Sequence, residues 1–450
     1  MPPPAKYVQM TTAPVGRLVC RLAVPTVVIM LTSALYNMAD TFFVSSLGTE
    51  ATAALGVAFP FMAIIQAVGF FFGNGAGNYL ARALGAQRGS DAAKMASTSF
   101  FTAFVFGLGL AALGLIFLTP LARLLGATPA LLSGTVEYLR YILLAAPFMI
   151  CAFMLNNCLR FQGNAFWSMI GMVSGAALNV ALDPLFIFGF NWGLSGAALA
   201  TMLSQIISFL ILLFLSNGVK TNVPVSPRNF APGLGLYREL WRGGLPSLLR
   251  QSLLCLSTIM INHAAGAFGD AVIAGISIVM RIIQTLSAAI IGIGQGLQPV
   301  CGFNYGAGLY ERVRQAQRFC VKLTLAILSA LSLICLLWAP WIVALFRTGD
   351  PEVVAVGAWA LRLQALSLPL AGQTIIDNLF LQTIGRSTAA SWIALSRQGL
   401  FLLPFLIIFA RFFGVIGIQL CVPAADLCAF ILAVSLSAKA FREAPFIRSR

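Results

Sequence analysis

Charge is scarce in this 450-residue sequence: Asp, Glu, Lys and Arg make up 9% of it, against about a quarter in an ordinary soluble domain. There is one histidine, His263, which excludes a His-rich metal centre. The nine cysteines are scattered with no C-x-x-C pair. Neither a zinc site nor a disulfide framework is expected from them, and they read as small apolar fillers. No Walker-type phosphate loop is present, so the chain itself is not expected to hydrolyse ATP. An integral-membrane enzyme would need several His or acidic residues gathered at a membrane edge; no such cluster is visible and no enzyme is expected. Lys6, Arg17 and Arg21 lead into a full-length apolar run rather than a short one with a cleavage site, so no cleavable signal is expected.

What is present in abundance is apolar length. The chain is 59% hydrophobic with a mean hydropathy of +0.92, and runs long enough to cross about 30 Å of hydrocarbon recur throughout. In lipid the backbone must bond within its own segment, so these runs are expected to be helices. Twelve spans are predicted, at roughly 17–42, 52–79, 95–119, 136–158, 166–188, 195–216, 246–267, 272–299, 319–345, 357–381, 391–412 and 415–438. The fold class is an all-α integral membrane protein of a lipid bilayer. The net charge of +15 would suggest nucleic acid in a soluble chain. Here the basic residues fall between spans, where they orient the protein, and no nucleic-acid partner is expected. Twenty-one Lys and Arg, Arg160 and Arg397 among them, count to the side of the termini and five to the other, outside Arg250 and Arg281 within spans. Both termini are therefore expected in the cytoplasm.

The chain also repeats itself. Pro25 meets Pro246, Gly48 meets Gly269, Gly73 meets Gly294 and Gly75 meets Gly296 at a spacing of 221 residues; Pro147 meets Pro369 and Asn156 meets Asn378 at 222. The polar connection between the copies carries Pro224, Pro227, Pro232, Lys220, Arg228, Arg238 and Arg242. The expected organisation is a first lobe over 1–216, a cytoplasmic linker over 217–245 and a second lobe over 246–450. Six spans per copy make the repeats parallel, an arrangement used by transporters that rock two lobes about a central site. GNGAG at 73–77 and GIGQG at 292–296 look like nucleotide loops, but no strand precedes them, and close helix packing or a hinge is the reading.

Four acids fall inside the spans: Asp40, Asp183, Asp377 and Asp426. An ionised Asp at the bilayer centre costs about 2.5–3.5 kcal/mol on insertion scales, so each needs a wet cavity, a cation or a proton. Asn179 and Asp183 lie one turn apart on one helix face, ahead of Pro184. Asp40 and Asp183 have no acidic counterpart in the second copy, where Ile261 and Pro404 or Phe405 stand. A coupling site needs to exist only once, so this pair is the candidate. A carboxyl group kept from water can bind and release a proton, and two carboxylates with amide and hydroxyl oxygens can hold Na⁺; both ions stay open. Asp377 and Asp426 are candidates either for substrate contact or for pairing with Arg250 or Arg281.

The stretches ALYNMADTFFVSSLGTEATAALG, GNYLARALGAQRGSDAAK, ALNVALDPLFIFGFNWGLSGAALAT and GQGLQPVCGFNYGAG resemble the multidrug and toxic compound extrusion (MATE) transporters, over essentially the full chain. The resemblance implies two six-helix lobes around a V-shaped cavity and export of cationic or amphipathic drugs against H⁺ or Na⁺, with no other cofactor. It implies a coupling site at Asp40, Asp183, Asn179 and Thr201, which would also hold any Na⁺, supported by Tyr36, Asn156 and Pro25. Pro25 would mark the bend of the first helix on protonation. The seventh helix, acidic in some relatives, here carries Arg250. A monomer in the inner membrane is expected. The alternatives are a related flippase, an exporter of one metabolite or lipid-linked substrate, or a channel.

Overall fold

The computed structural model describes residues 5–218, 223–346 and 350–443, and these form helices and their connections with no strand. In the first half they are α1 (Ala5–Thr12), α2 (Val15–Ser45), α3 (Thr49–Gly85), α4 (Gly89–Ile116), α5 (Leu118–Leu124), α6 (Leu132–Phe161), α7 (Ala165–Pro184) and α8 (Gly193–Asn217). In the second they are α9 (Leu234–Gly266), α10 (Asp270–Gly306), α11 (Tyr310–Ala344), α12 (Pro351–Thr383), α13 (Ser387–Leu395) and α14 (Leu402–Arg442).

Eleven continuous helical stretches among the described residues are long and apolar enough to span a bilayer. The last, Ser387–Arg442, runs for 56 residues. Straight, it would be about 84 Å long, far beyond one crossing. It is a hairpin: Gly414 sits at φ 58°, and a side chain on Gly417 would strike the backbone of Phe409, eight residues earlier. With that turn the chain crosses twelve times, as predicted. Most helices outrun the predicted spans because they continue past the hydrocarbon. The largest difference is α9, which starts at Leu234 and not at Pro246. Arg238 and Arg242 cannot enter lipid, but nothing prevents them from being helical outside it. The connection before α9 is anchored on α4, where Ser226 N–H donates to Ser97 Oγ and Ala231 N–H to Thr98 Oγ1. Lys220, Arg347, Arg448 and Arg450, all used in the charge count, lie outside the described residues.

Each half packs around its own central helices. In the first, α3, α4 and α8 surround α6, with α2 on α7; in the second, α10, α11 and α14 surround α12. The halves meet along two equivalent crossings, α2 on α10 and α3 on α9. The glycine-rich runs make these crossings possible. A Cβ on Gly296 would sit 2.5 Å from Cα of Ala23 on α2, and one on Gly75 would strike the Leu240 carbonyl on α9. These two glycines are the repeat partners read from the sequence, and close helix approach is what they supply.

All of this contact lies toward the end of the bundle that carries the termini. Further across it, Arg82 Nη1 donates to the Thr383 carbonyl (2.8 Å), Gln382 Nε2 to the Gly243 carbonyl (2.7 Å) and Arg312 Nη2 to the Ala13 carbonyl (2.6 Å). Arg160 lies wholly buried in the same seal, between Gln295, Gln298, Asn74 and Asn157. The sequence places it among the loop cations; the helix carries it inward instead, and it does not orient the chain. Arg397 is corrected likewise: it lies inside the eleventh crossing, on the wall of a cavity.

Candidate functional site: a buried carboxylate cluster beside a central cavity

Asp40 sits one turn and a half before the end of α2, Asp183 next to the end of α7, and Thr201 two turns into α8. All three are therefore near the end of the bundle opposite the termini. Pro184 offers no N–H to continue α7. The chain leaves through a wider turn, in which Phe190 N–H donates to the Leu185 carbonyl (3.0 Å), and returns as α8 with Asn191 and Gly193 at positive φ. That hairpin faces α8 onto α7. Asn179 then donates through Nδ2 to Asp183 Oδ1 (3.2 Å) on its own face and to Thr201 Oγ1 (3.3 Å) on the next helix. The one-turn spacing of Asn179 and Asp183 is used as the sequence implied.

Asp40, Asn179, Asp183 and Thr201 are all buried. The cluster is short of donors: Asp40 Oδ1, Asp183 Oδ2 and Asn179 Oδ1 are buried without a hydrogen-bond partner. Asp183 lies within electrostatic range of Asp40, and Tyr36, one turn before Asp40 on α2, lies within electrostatic range of both. Oxygen acceptors in excess, drawn from three helices, are what a proton or a hard cation satisfies. Sequence reading missed Tyr138 on α6. It is fully buried, its hydroxyl donates to Met62 Sδ (4.0 Å), and it lies within electrostatic range of Asp40. A tyrosine in an apolar span carried no periodic signal that could have singled it out.

Two expected members lie elsewhere. Asn156 is on α6 near the terminal side, where its Oδ1 accepts from Ser168 Oγ. Ser168 and Asp183 are fifteen residues apart on α7, about 22 Å at 1.5 Å per residue. Asn156 thus belongs to the other end of the bundle and not to the cluster. Pro25 is also distant, at a corresponding depth in α2, which runs through it unbroken. Its neighbour Thr26 donates to the Gly292 carbonyl on α10 (2.6 Å).

Between the halves lies a cavity of about 750 Å³. Tyr36, Phe59, Met62 and Phe153 line it from the first half, and Arg250, Ile261, Met280 and Asn378 from the second. Tyr36 therefore has the carboxylate cluster on one side and the cavity on the other. Asp426 is on the wall but engaged at both oxygens: Oδ1 accepts from Arg397 Nε (2.7 Å) and Oδ2 from Ser367 Oγ (2.9 Å). Its partner is neither Arg250 nor Arg281. Asp377 is off the wall altogether, buried between α11 and α12 with Gln317 Nε2 donating to it (2.8 Å). The candidate substrate contact at Asp377 is corrected: helical phase turns that residue into its own half, away from the cavity. Asn378, one residue on, is the one that faces the cavity.

A two-part helical bundle closed at one end over a central cavity, with an acidic cluster buried in one half, is the architecture of a membrane transporter. The chain belongs to the MatE family, whose model matches residues 25–185 and again 246–408. It is 29% identical over 437 residues to the multidrug export protein MepA of Staphylococcus aureus (strain MSSA476), covering 93% of this chain and 94% of that protein. It superposes on the outward-facing conformation of a multidrug resistance MATE family transporter of the MOP superfamily with a TM-score of 0.91, at 27% identity, over 97% of this chain and 98% of the other. The same score, identity and coverage relate it to a MATE structure in the straight conformation.

Proposed function

We propose that the protein is a secondary-active antiporter that expels amphipathic organic compounds in exchange for H⁺ or Na⁺. The observation that carries this reading is the cluster of unpartnered buried oxygens on Asp40, Asp183 and Asn179, one turn of α2 from the cavity-lining Tyr36. Taking up an ion there changes the charge of one lobe alone. A bound ion shifts the balance between two conformations by its difference in affinity for them. The lobes, 1–216 and 246–450, rock about the cavity, and Pro25 is where α2 bends. The similar MepA is a multidrug export protein and the similar multidrug resistance transporter is outward-facing, which supports export with the cavity here open away from the cytoplasm. The positive bias of the terminal side supports cytoplasmic termini in a cell membrane. One chain supplies both walls of the cavity, so a monomer suffices.

A cationic cargo would want an unengaged acid on the wall. Asp426 is taken by Arg397 and Asp377 is off the wall, so the amphipathic part of the expectation is the one the geometry supports.

The test is transport in reconstituted vesicles under an imposed pH gradient and, separately, a Na⁺ gradient. Ethidium and a carboxylated dye would both be followed. Movement driven by one gradient and lost in Asp40→Asn and Asp183→Asn is expected, and the effective gradient names the ion. Equal movement in both variants, or movement without any gradient, would refute antiport.

A further inference from the structure

The charges on the cavity wall are Arg250, Arg397 and Asp426 among the described residues. Asp426 neutralises Arg397, which leaves Arg250. No carboxylate within ion-pair distance of Arg250 exists among the described residues. Its hydrogen-bond partner is neutral: Nη1 donates to Asn378 Oδ1 (3.0 Å). Asn378 is itself locked, since its Nδ2 donates to the Ala390 carbonyl (2.6 Å). The guanidinium is thus positioned by a fixed amide and has donors left over. Behind it stands a second cation. Arg160 is close enough to Arg250 to repel it, and all of its hydrogen-bond acceptors are neutral. Charged groups in protein interiors are paired or bind ions, and here Arg250 faces the cavity with no acid beside it, while Arg160 is enclosed in the seal and does not line the cavity. The acids of the coupling cluster are buried behind the wall and do not line the cavity.

We propose that the cavity takes amphipathic molecules through an anionic group, a carboxylate or phosphate, held by Arg250, while Phe59, Phe153, Met149 and Met280 receive the apolar body. This rests on the reading of the cavity as the cargo site. The volume is within the range of about 300–1,000 Å³ usual for small-molecule sites. Arginine's planar fork suits bidentate contact with either anion.

The experiment compares two dyes that differ at one group. Rhodamine 110 carries a free carboxylate, and rhodamine 123 is its methyl ester. Binding to the purified full-length protein in a neutral detergent is read by fluorescence anisotropy. The carboxylate is expected to bind at least about tenfold tighter, the worth of one charge-assisted hydrogen bond. Arg250→Gln should reduce the preference to within about twofold, and Arg250→Lys, which keeps the charge but not the fork, should retain part of it. A parent protein that binds the ester as tightly or more tightly overturns the proposal. So does a preference that survives Arg250→Gln. If Arg250→Gln does not fold, a full preference kept by Arg250→Lys and abolished by no other substitution at 250 that folds overturns it equally. Short-chain phosphatidylglycerol and phosphatidylcholine, as competitors, separate the sources. Displacement by the first alone supports the anion site and assigns it to lipid headgroups. Displacement by neither, with the dye preference intact, assigns it to soluble anions. Equal displacement by both shows binding indifferent to charge and overturns it. Because binding in detergent needs no gradient, failure of antiport leaves this result standing, and the reverse holds as well.

Discussion

Replacing Gly296 with alanine should weaken the conformation described here without touching either the acids or the cavity. The new Cβ would lie 2.5 Å from both N and Cα of Ala23 and 2.8 Å from its Cβ. Carbon atoms in contact prefer about 3.5–4.0 Å, so α2 and α10 must part by about 1 Å. No flexible side chain can give way, because the obstacle is backbone. Overpacking of this kind costs about 1–3 kcal/mol. If the lobes separate at this end in the alternative state, the cost falls on the closed state alone. The balance then moves by about 5- to 150-fold. Cys255 lines the cavity and offers the readout. In a variant retaining only that cysteine, a membrane-impermeant maleimide added from the cavity's open side should label Gly296→Ala more slowly, by a factor that approaches the shift in the balance as the open state becomes the minor one. Gly75→Ala, at the equivalent crossing with no shared neighbours, should act in the same direction, and the two should add. Gly109, with open space around it, is the control. Alanine there should leave labelling unchanged. Labelling of Gly296→Ala equal to that of Gly109→Ala would refute the claim that the glycines hold this end shut.

Two other outcomes follow from the same geometry. Pro25→Ala gives the Arg21 carbonyl the i−4 donor that proline denies it, relieving part of a helix penalty of about 3 kcal/mol; α2 should stay straight, so turnover in vesicles should fall while the melting temperature holds or rises, and unchanged transport would remove the bending role. Asp377→Asn should leave the profile of transported dyes unaltered, since that side chain faces Gln317 and not the cavity; a changed profile would return it to the substrate path.

Much of the architecture is determined by local composition, and for that reason it is legible in the chain. Hydrocarbon demands about twenty apolar residues per crossing and tolerates little charge, so the twelve crossings stand out, and the duplication shows in glycines and prolines whose conformational roles recur. The pairing of Asn179 with Asp183 also needs no tertiary information, because one helical turn puts both on one face. What the sequence by itself could not decide is which way a polar side chain turns once helices pack. Asp377 and Asn378 are neighbours in the chain, yet one is enclosed in its own half and the other faces the cavity. Arg160 and Arg397 read as loop cations from their positions near predicted span ends, but become a buried tie across the halves and the partner of Asp426. Tyr138 joins the carboxylates only because α6 runs through the centre of its half, and Asn156, on the same helix, is carried to the other end of the bundle. Charge at a span boundary costs little wherever it points, so hydropathy is silent on its direction. That direction comes from long-range packing, which sets the sign of the charge on the cavity wall.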